Sequence, residues 1–218
     1  MPNWTENFLK IEGSKDDVSK FITSVKGYPI GDHPEDEPRA ITFNAIIPMP
    51  KILQTTKKSS NTEMWAAALD TEGLTKFYPN RFQKELKSWE YWVNMPWAPA
   101  SKIVDQKSLL AYCKVKHPKD QAKGQQLLDA VKETGFSDWY QWSIVNWGVK
   151  WDASSIQNIG YYESDALDSK DYAEAIYRFN TPWGWPEPIV DKLRENFPNL
   201  KIEFRFRLED DEYYLHSL

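Results

Sequence analysis

Residues 201–209 read Lys-Ile-Glu-Phe-Arg-Phe-Arg-Leu-Glu. Every second side chain is apolar (Ile202, Phe204, Phe206, Leu208) and the others are charged. Successive side chains of a strand point to opposite faces, so this alternation predicts a β-strand with one face on a core and one in water. Just upstream, Ile189, Val190, Leu193 and Phe197 recur at helical spacing. Pro186 and Pro188 stand where a helix can start without losing a hydrogen bond, and Pro198 closes it. Before that helix, residues 172–180 set Ala173, Ala175, Tyr177 and Phe179 against Glu174, Ile176 and Arg178, a second predicted strand.

The N-terminal part repeats this order. Residues 7–12 alternate and stop at Gly13. Ser14 has the character of an N-cap, with Asp16 and Asp17 in the first turn, where the helix dipole favours carboxylates. Val18, Phe21, Ile22 and Val25 then predict a helix over 14–26, and residues 40–47 are expected to form a strand ended by Pro48 and Pro50. Neither strand-helix-strand half can bury its sheet face alone. Together they predict an α+β fold, a ferredoxin-like split β-α-β antiparallel sheet with a large, mostly helical insertion between its second and third strands. The expected domains are 1–48 with 172–218, and a Trp-rich insertion over 49–171, with helical patterns at 62–69, 79–86, 107–112 and 117–134.

The chain of 218 residues is 41% hydrophobic and 27% charged, with net charge −5. It carries 11 Trp, 11 Tyr and 10 Phe, rings that can build a core or anchor an interface. Acidic residues cluster within 32–37 and 209–212, and no long basic run is present, so direct nucleic-acid binding is not expected. The single Cys113 excludes an internal disulfide and a Cys-based zinc site, and its Leu-Leu-Ala-Tyr-Cys context points to packing. His33, His117 and His216 lack metal-ligand spacing, so no metal and no cofactor are expected. The first residues lack the charge and apolar run of a signal peptide, and no apolar run is long enough to span a bilayer; a cytoplasmic protein is expected.

The start Met1-Pro2-Asn3-Trp4 with Asn7, the motif Asn146-Trp147-Gly148-Val149-Lys150-Trp151-Asp152, and Phe179-Asn180-Thr181-Pro182-Trp183 together resemble the Api-like family of phage and plasmid proteins. The resemblance implies a ferredoxin-like domain, a mobile-element origin, a bacterial host cytoplasm and no established activity. It carries over no catalytic residue.

The 146–152 motif supports two readings. Trp147 and Trp151 form walls while Asn146, Lys150 and Asp152 supply polar contacts, or Gly148 permits a tight turn, the two Trp plug a seam between insertion and sheet, and Lys150 pairs with Asp152 or another acid. With Trp183 and Trp185 these are the candidate ligand- or partner-binding residues. No catalytic constellation stands out: no Gly-x-Ser-x-Gly elbow and no Gly-rich phosphate loop. The expectation is a non-enzymatic accessory protein that binds a host protein, an anti-defence inhibitor being one such role. The alternative is a small-molecule or nucleotide-binding module with a Trp-lined pocket between insertion and sheet.

Overall fold

The structure, a computed structural model, describes residues 3–31, 37–77, 86–163, 171–208 and 216–217. The acidic stretches at 32–36 and 209–212, His33 and residues 79–85 of the helical pattern read over 79–86 lie outside the described residues. In chain order the elements are β1 (Trp4–Gly13), α1 (Lys15–Val25), α2 (Phe43–Ile46), α3 (Lys51–Thr55), α4 (Ser60–Leu69), β2 (Lys76–Phe77), β3 (Leu86–Lys87) and α5 (Ser88–Val93). They continue with α6 (Gln106–Lys116), α7 (Gln121–Thr134), α8 (Trp139–Asn146), β4 (Ser154–Glu163), β5 (Ala173–Pro182), α9 (Glu187–Asn196), β6 (Lys201–Arg207) and β7 (His216–Ser217). Two compact units result, Met1–Met49 with Trp142–Leu218, and Pro50–Gln141.

The first unit holds an open five-stranded sheet in the order β4-β5-β1-β6-β7, with every neighbouring pair antiparallel. One face is a core. Leu9 and Ile11 of β1, Tyr177 and Phe179 of β5, and Phe204 and Phe206 of β6 are buried. Phe21 of α1 lies on Tyr177, with ring centroids 6.1 Å apart, and against Phe197 after α9, at 5.2 Å, so both helices cover that face. Ser14 does cap α1, its hydroxyl accepting from the Asp17 N–H at 3.2 Å. Leu208, read as a core residue, is 40% exposed because β6 ends one residue earlier.

The open face carries charge. Lys10 pairs with Glu12 at 3.1 Å and Glu174 at 2.8 Å, and Lys201 with Glu12 at 2.6 Å. Glu6 pairs with Arg178 and with Arg207. Glu12 and Glu174 stand directly opposite in the register, and the lysines offset a repulsion that the bare pair would suffer.

Two expectations are corrected. Residues 40–47 form no strand; they turn into α2. Thr42 caps it, and the Asp152 carboxylate takes the Thr42 hydroxyl and the Phe43 N–H, the latter at 2.6 Å. Phe43 then packs edge-on against Phe179 and Trp147, so long-range contacts override a β-branched local preference. The strand flanking β5 is instead β4, taken from the stretch read as insertion. Its pairing shifts register between Ser154 and Gln157 and between Asn158 and Gly160, and such bulges scramble the period-two pattern a sequence reader looks for. The sheet-bearing unit therefore resumes at Trp142, and the helical unit ends at Gln141 rather than at 171.

That second unit packs around α4. Trp65 is fully buried and its indole N–H donates to the His117 carbonyl at 2.7 Å. Gly124 of α7 is the contact point: a Cβ there would lie 2.2 Å from the Trp65 Cβ, so only glycine lets these helices approach. Cys113 is buried in the same core, and burial pushes its thiol up to about 11, consistent with a packing residue.

Candidate functional site

The 146–152 motif begins where α8 ends. The Asn146 amide donates to the Trp142 carbonyl at 2.9 Å and so finishes the helix. Gly148 follows with φ 77°, in the left-handed region, and a Cβ there would sit 2.8 Å from Pro188 Cδ. The turn therefore lies directly against the start of α9, and only glycine fits. Trp147 goes inward. It is 3% exposed, meets Phe43 at 6.0 Å and Trp142 at 5.5 Å, and donates its indole N–H to the Ile47 carbonyl at 2.9 Å. Asp152 also turns inward. Besides Thr42 and Phe43 it accepts the Ala153 N–H at 2.7 Å and the Asn44 N–H at 3.5 Å. Burial raises its carboxyl above the usual aspartate range, and these hydrogen bonds only partly oppose the shift.

Lys150 and Trp151 project outward. Trp151 is 40% exposed and Trp183, from the turn after β5, is 56% exposed. Trp183 holds φ 61°, a conformation costly for a bulky residue, and its N–H donates to the Asn3 carbonyl at 2.8 Å. Trp4, at the start of β1, completes a row. Its ring centroid lies 6.4 Å from that of Trp151, which lies 6.0 Å from that of Trp183, with interplanar angles of 37° and 32°. The Lys150 ammonium sits over two of these rings, 4.4 Å from the Trp151 centroid and 5.4 Å from that of Trp183. Trp185 is separate: it stacks on Phe206 at 5.4 Å and 13° and belongs to the sheet packing.

Of the seven candidates, the structure thus brings Lys150, Trp151 and Trp183 together on the surface. Asn146, Trp147, Asp152 and Trp185 serve the fold around them. The sequence reading missed Trp4. Its signal was available, since Trp4, Glu6 and Phe8 continue the period of β1 and place Trp4 on the face opposite the buried Thr5 and Asn7.

The helical unit has a cleft of about 450 Å³ lined by Lys58, Glu63, Leu74, Tyr91, Trp92 and Leu127 among others. Of the two lysines in its lining, Lys58 pairs with Asp138 at 3.0 Å and Glu63 at 3.2 Å. Burial works against the Asp138 charge, but the Gln141 N–H and the Lys58 ammonium outweigh it and hold the carboxyl below the usual range. Among the described residues no group of three or more His, Cys, Asp or Glu is placed to hold a metal, and no helix is long and apolar enough to cross a membrane.

No family model matches the chain, and no curated protein matches it. Among solved structures it is similar to the protein api92 from Yersinia pseudotuberculosis, at 10% identity and a TM-score of 0.35, covering 100% of this chain and 98% of that one. A likeness this weak identifies no family.

Proposed function

We propose that the protein is a non-enzymatic binding protein that engages a protein partner through the Trp4–Trp151–Trp183 row, presented on a ferredoxin-like split β-α-β scaffold. The scaffold reading is supported by the antiparallel order β4-β5-β1-β6, in which the strands of two strand-helix-strand halves interleave. The observation that carries the binding reading is the row itself. Two tryptophans are held 40% and 56% exposed, one of them at a backbone angle that costs about 1–3 kcal/mol. The Trp183 N–H bond to Asn3 fixes the backbone, yet both rings stay largely in water, and rigid exposed indoles are the anchors that protein interfaces favour. The neighbouring charged face supports a protein over a nucleic acid, since Lys10, Arg178, Lys201 and Arg207 are each already paired with a carboxylate. The motif resemblance would make that partner a host protein in a bacterial cytoplasm and the chain a phage or plasmid accessory.

The pocket alternative needs Trp147 and Trp185 as walls. Trp147 is buried with its N–H on the Ile47 carbonyl, and Trp185 has one face stacked on Phe206, so the two rings do not stand as the open walls that reading needs. The test is selection of a random peptide library on the immobilised protein, repeated with a Trp151→Ala/Trp183→Ala variant that retains the wild-type circular dichroism. The expected result is enrichment by the wild type alone. Equal enrichment of the same peptides by the variant would remove the row as the interface.

A further inference from the structure

The geometry points to the Trp4–Trp151–Trp183 row as a cation site, occupied in this structure by the chain's own Lys150 and open to a basic side chain of the partner in its place. This inference rests on the binding role proposed above and names the chemistry of the partner: a segment rich in arginine.

The occupant is the first argument. An ammonium lies 4.4 Å from one indole centroid and 5.4 Å from a second, inside the distance at which ring quadrupoles attract cations. Tryptophan is the strongest such ring, so the surface already demonstrates the kind of group it holds. Ring spacing is the second argument. A base inserted between two indoles needs parallel planes roughly 7 Å apart, twice a stacking step of about 3.4 Å. The observed separations of 6.4 and 6.0 Å come with tilts of 37° and 32°, which leaves no slot for a flat ring between neighbours. A guanidinium or ammonium laid over the outer faces needs no such slot, and a planar guanidinium stacks on indole as well as attracting it.

Charge is the third argument. The chain carries net −5, so a basic segment is drawn toward it at long range. Arg178 and Arg207, on the same sheet face as Trp4, do not oppose that field as bare charges, since both are tied to Glu6. Lys150 is attached by a flexible stem one residue from Trp151, so leaving the rings requires side-chain rotation and no backbone change. It acts as a tethered competitor for the ring faces, and a planar guanidinium, which stacks on indole as well as attracting it, takes its place there.

The experiment titrates an arginine-glycine octapeptide, and its glutamate-glycine counterpart, into the protein while following indole fluorescence. Four proteins are compared: wild type, Lys150→Met, Lys20→Met and Trp151→Ala/Trp183→Ala. Lys20 is an exposed lysine on α1, so its variant corrects for the change in net charge. The expected result is binding of the arginine peptide only, abolished in the double variant, and tightened about two- to fivefold by Lys150→Met but not by Lys20→Met, the range of an exposed cation–π contact. Equal tightening by both lysine variants, no change with Lys150→Met, or undiminished binding by the double variant would each overturn the inference. If the library selection yields row-dependent peptides that carry no basic residue, the binding role stands and the cation site falls. If it yields no row-dependent peptides, the binding role itself falls.

Discussion

Within one seven-residue motif, Trp147 and Trp151 should differ sharply when replaced by alanine. Trp147 is 3% exposed, with Phe43 and Trp142 edge-on to it and its N–H on the Ile47 carbonyl. Burial of a ring of this size, 150–250 Å², is worth about 4–6 kcal/mol at 25 cal per Å², an upper bound because the unfolded chain already hides some of it. Measured aromatic-to-alanine changes run about 3–5 kcal/mol, and the orphaned Ile47 carbonyl adds to the loss. Taking about 4 kcal/mol, at about 2–4 °C for each kcal/mol, Trp147→Ala should lower the melting temperature by about 8–16 °C. Trp151 keeps 40% of its surface in water and its ring meets Trp4, Trp183 and the Lys150 ammonium, so Trp151→Ala should cost about 1 kcal/mol, or about 2–4 °C. Scanning calorimetry of both variants beside wild type decides it. A Trp147→Ala shift below about 3 °C, or equal shifts for the two variants, would refute the division of the motif into an inward structural half and an outward binding half.

Other changes probe the same architecture. Phe204→Ala should cost about 3–5 kcal/mol in urea denaturation, whereas Leu208→Ala should stay within about 1 kcal/mol, since only the first is buried. Gly124→Ala should destabilise the helical unit although alanine is the better helix former by about 1 kcal/mol, because the new Cβ meets Trp65; amide hydrogen exchange in α4 and α7 would report it. Glu12, held by Lys201, Tyr172 and Lys10, has its carboxyl lowered from 4.5 to about 2, so its stabilising contribution is present above pH 4.5 and is lost as pH falls toward 2. Glu12→Gln should flatten that limb of the acid-unfolding curve. Asp152 runs the opposite way: its raised folded-state value means its charge opposes folding above the ordinary aspartate range, and that opposition fades on acidification. A stability difference between wild type and Asp152→Asn that does not change in wild type's favour as pH falls from neutral would contradict the assignment.

How much of this was legible depends on where the information sits. β1, β5 and β6 pack one face on a core and turn the other to water, so their side chains alternate and the sequence states it. The helices α1 and α9 announce themselves through Ser14 and Pro186 and through apolar residues at helical spacing. β4 does neither. It lies at the edge of the sheet, paired to β5 alone among the described strands, and its bulges break the alternation. Residues 40–47 gave the reverse error: Ile41, Phe43 and Ile46 are buried, which looks strand-like, but the backbone is set by Asp152, more than a hundred residues away in the chain. No local pattern encodes a cap delivered from that distance.

The candidate site shows the same limit in finer grain. The motif Asn146 to Asp152 was visible as unusual, yet its residues could not be sorted into core and surface, because the sorting depends on a turn. Gly148, at φ 77° against Pro188, reverses the chain so that Trp147 and Asp152 both face inward while Trp151 faces out. Trp183 is turned outward by a second left-handed residue, its own. The aromatic row is thus a product of two backbone positions that a periodicity argument treats as loop. Composition supplied the eleven tryptophans; the two turns determine that Trp151 and Trp183 remain exposed, and the adjacency of Lys150 to Trp151 puts an ammonium over them. A site made this way should be sensitive to Gly148 in a manner that stability alone does not predict. In Gly148→Ala, the backbone must leave φ 77° or press on Pro188, and either movement carries Trp151 away from Trp183. The expected outcome is a loss of about 1–3 kcal/mol in stability together with loss of row-dependent peptide binding. Retained binding in a destabilised Gly148→Ala protein would show that the row is held by Trp4 and Trp183 and does not depend on the turn.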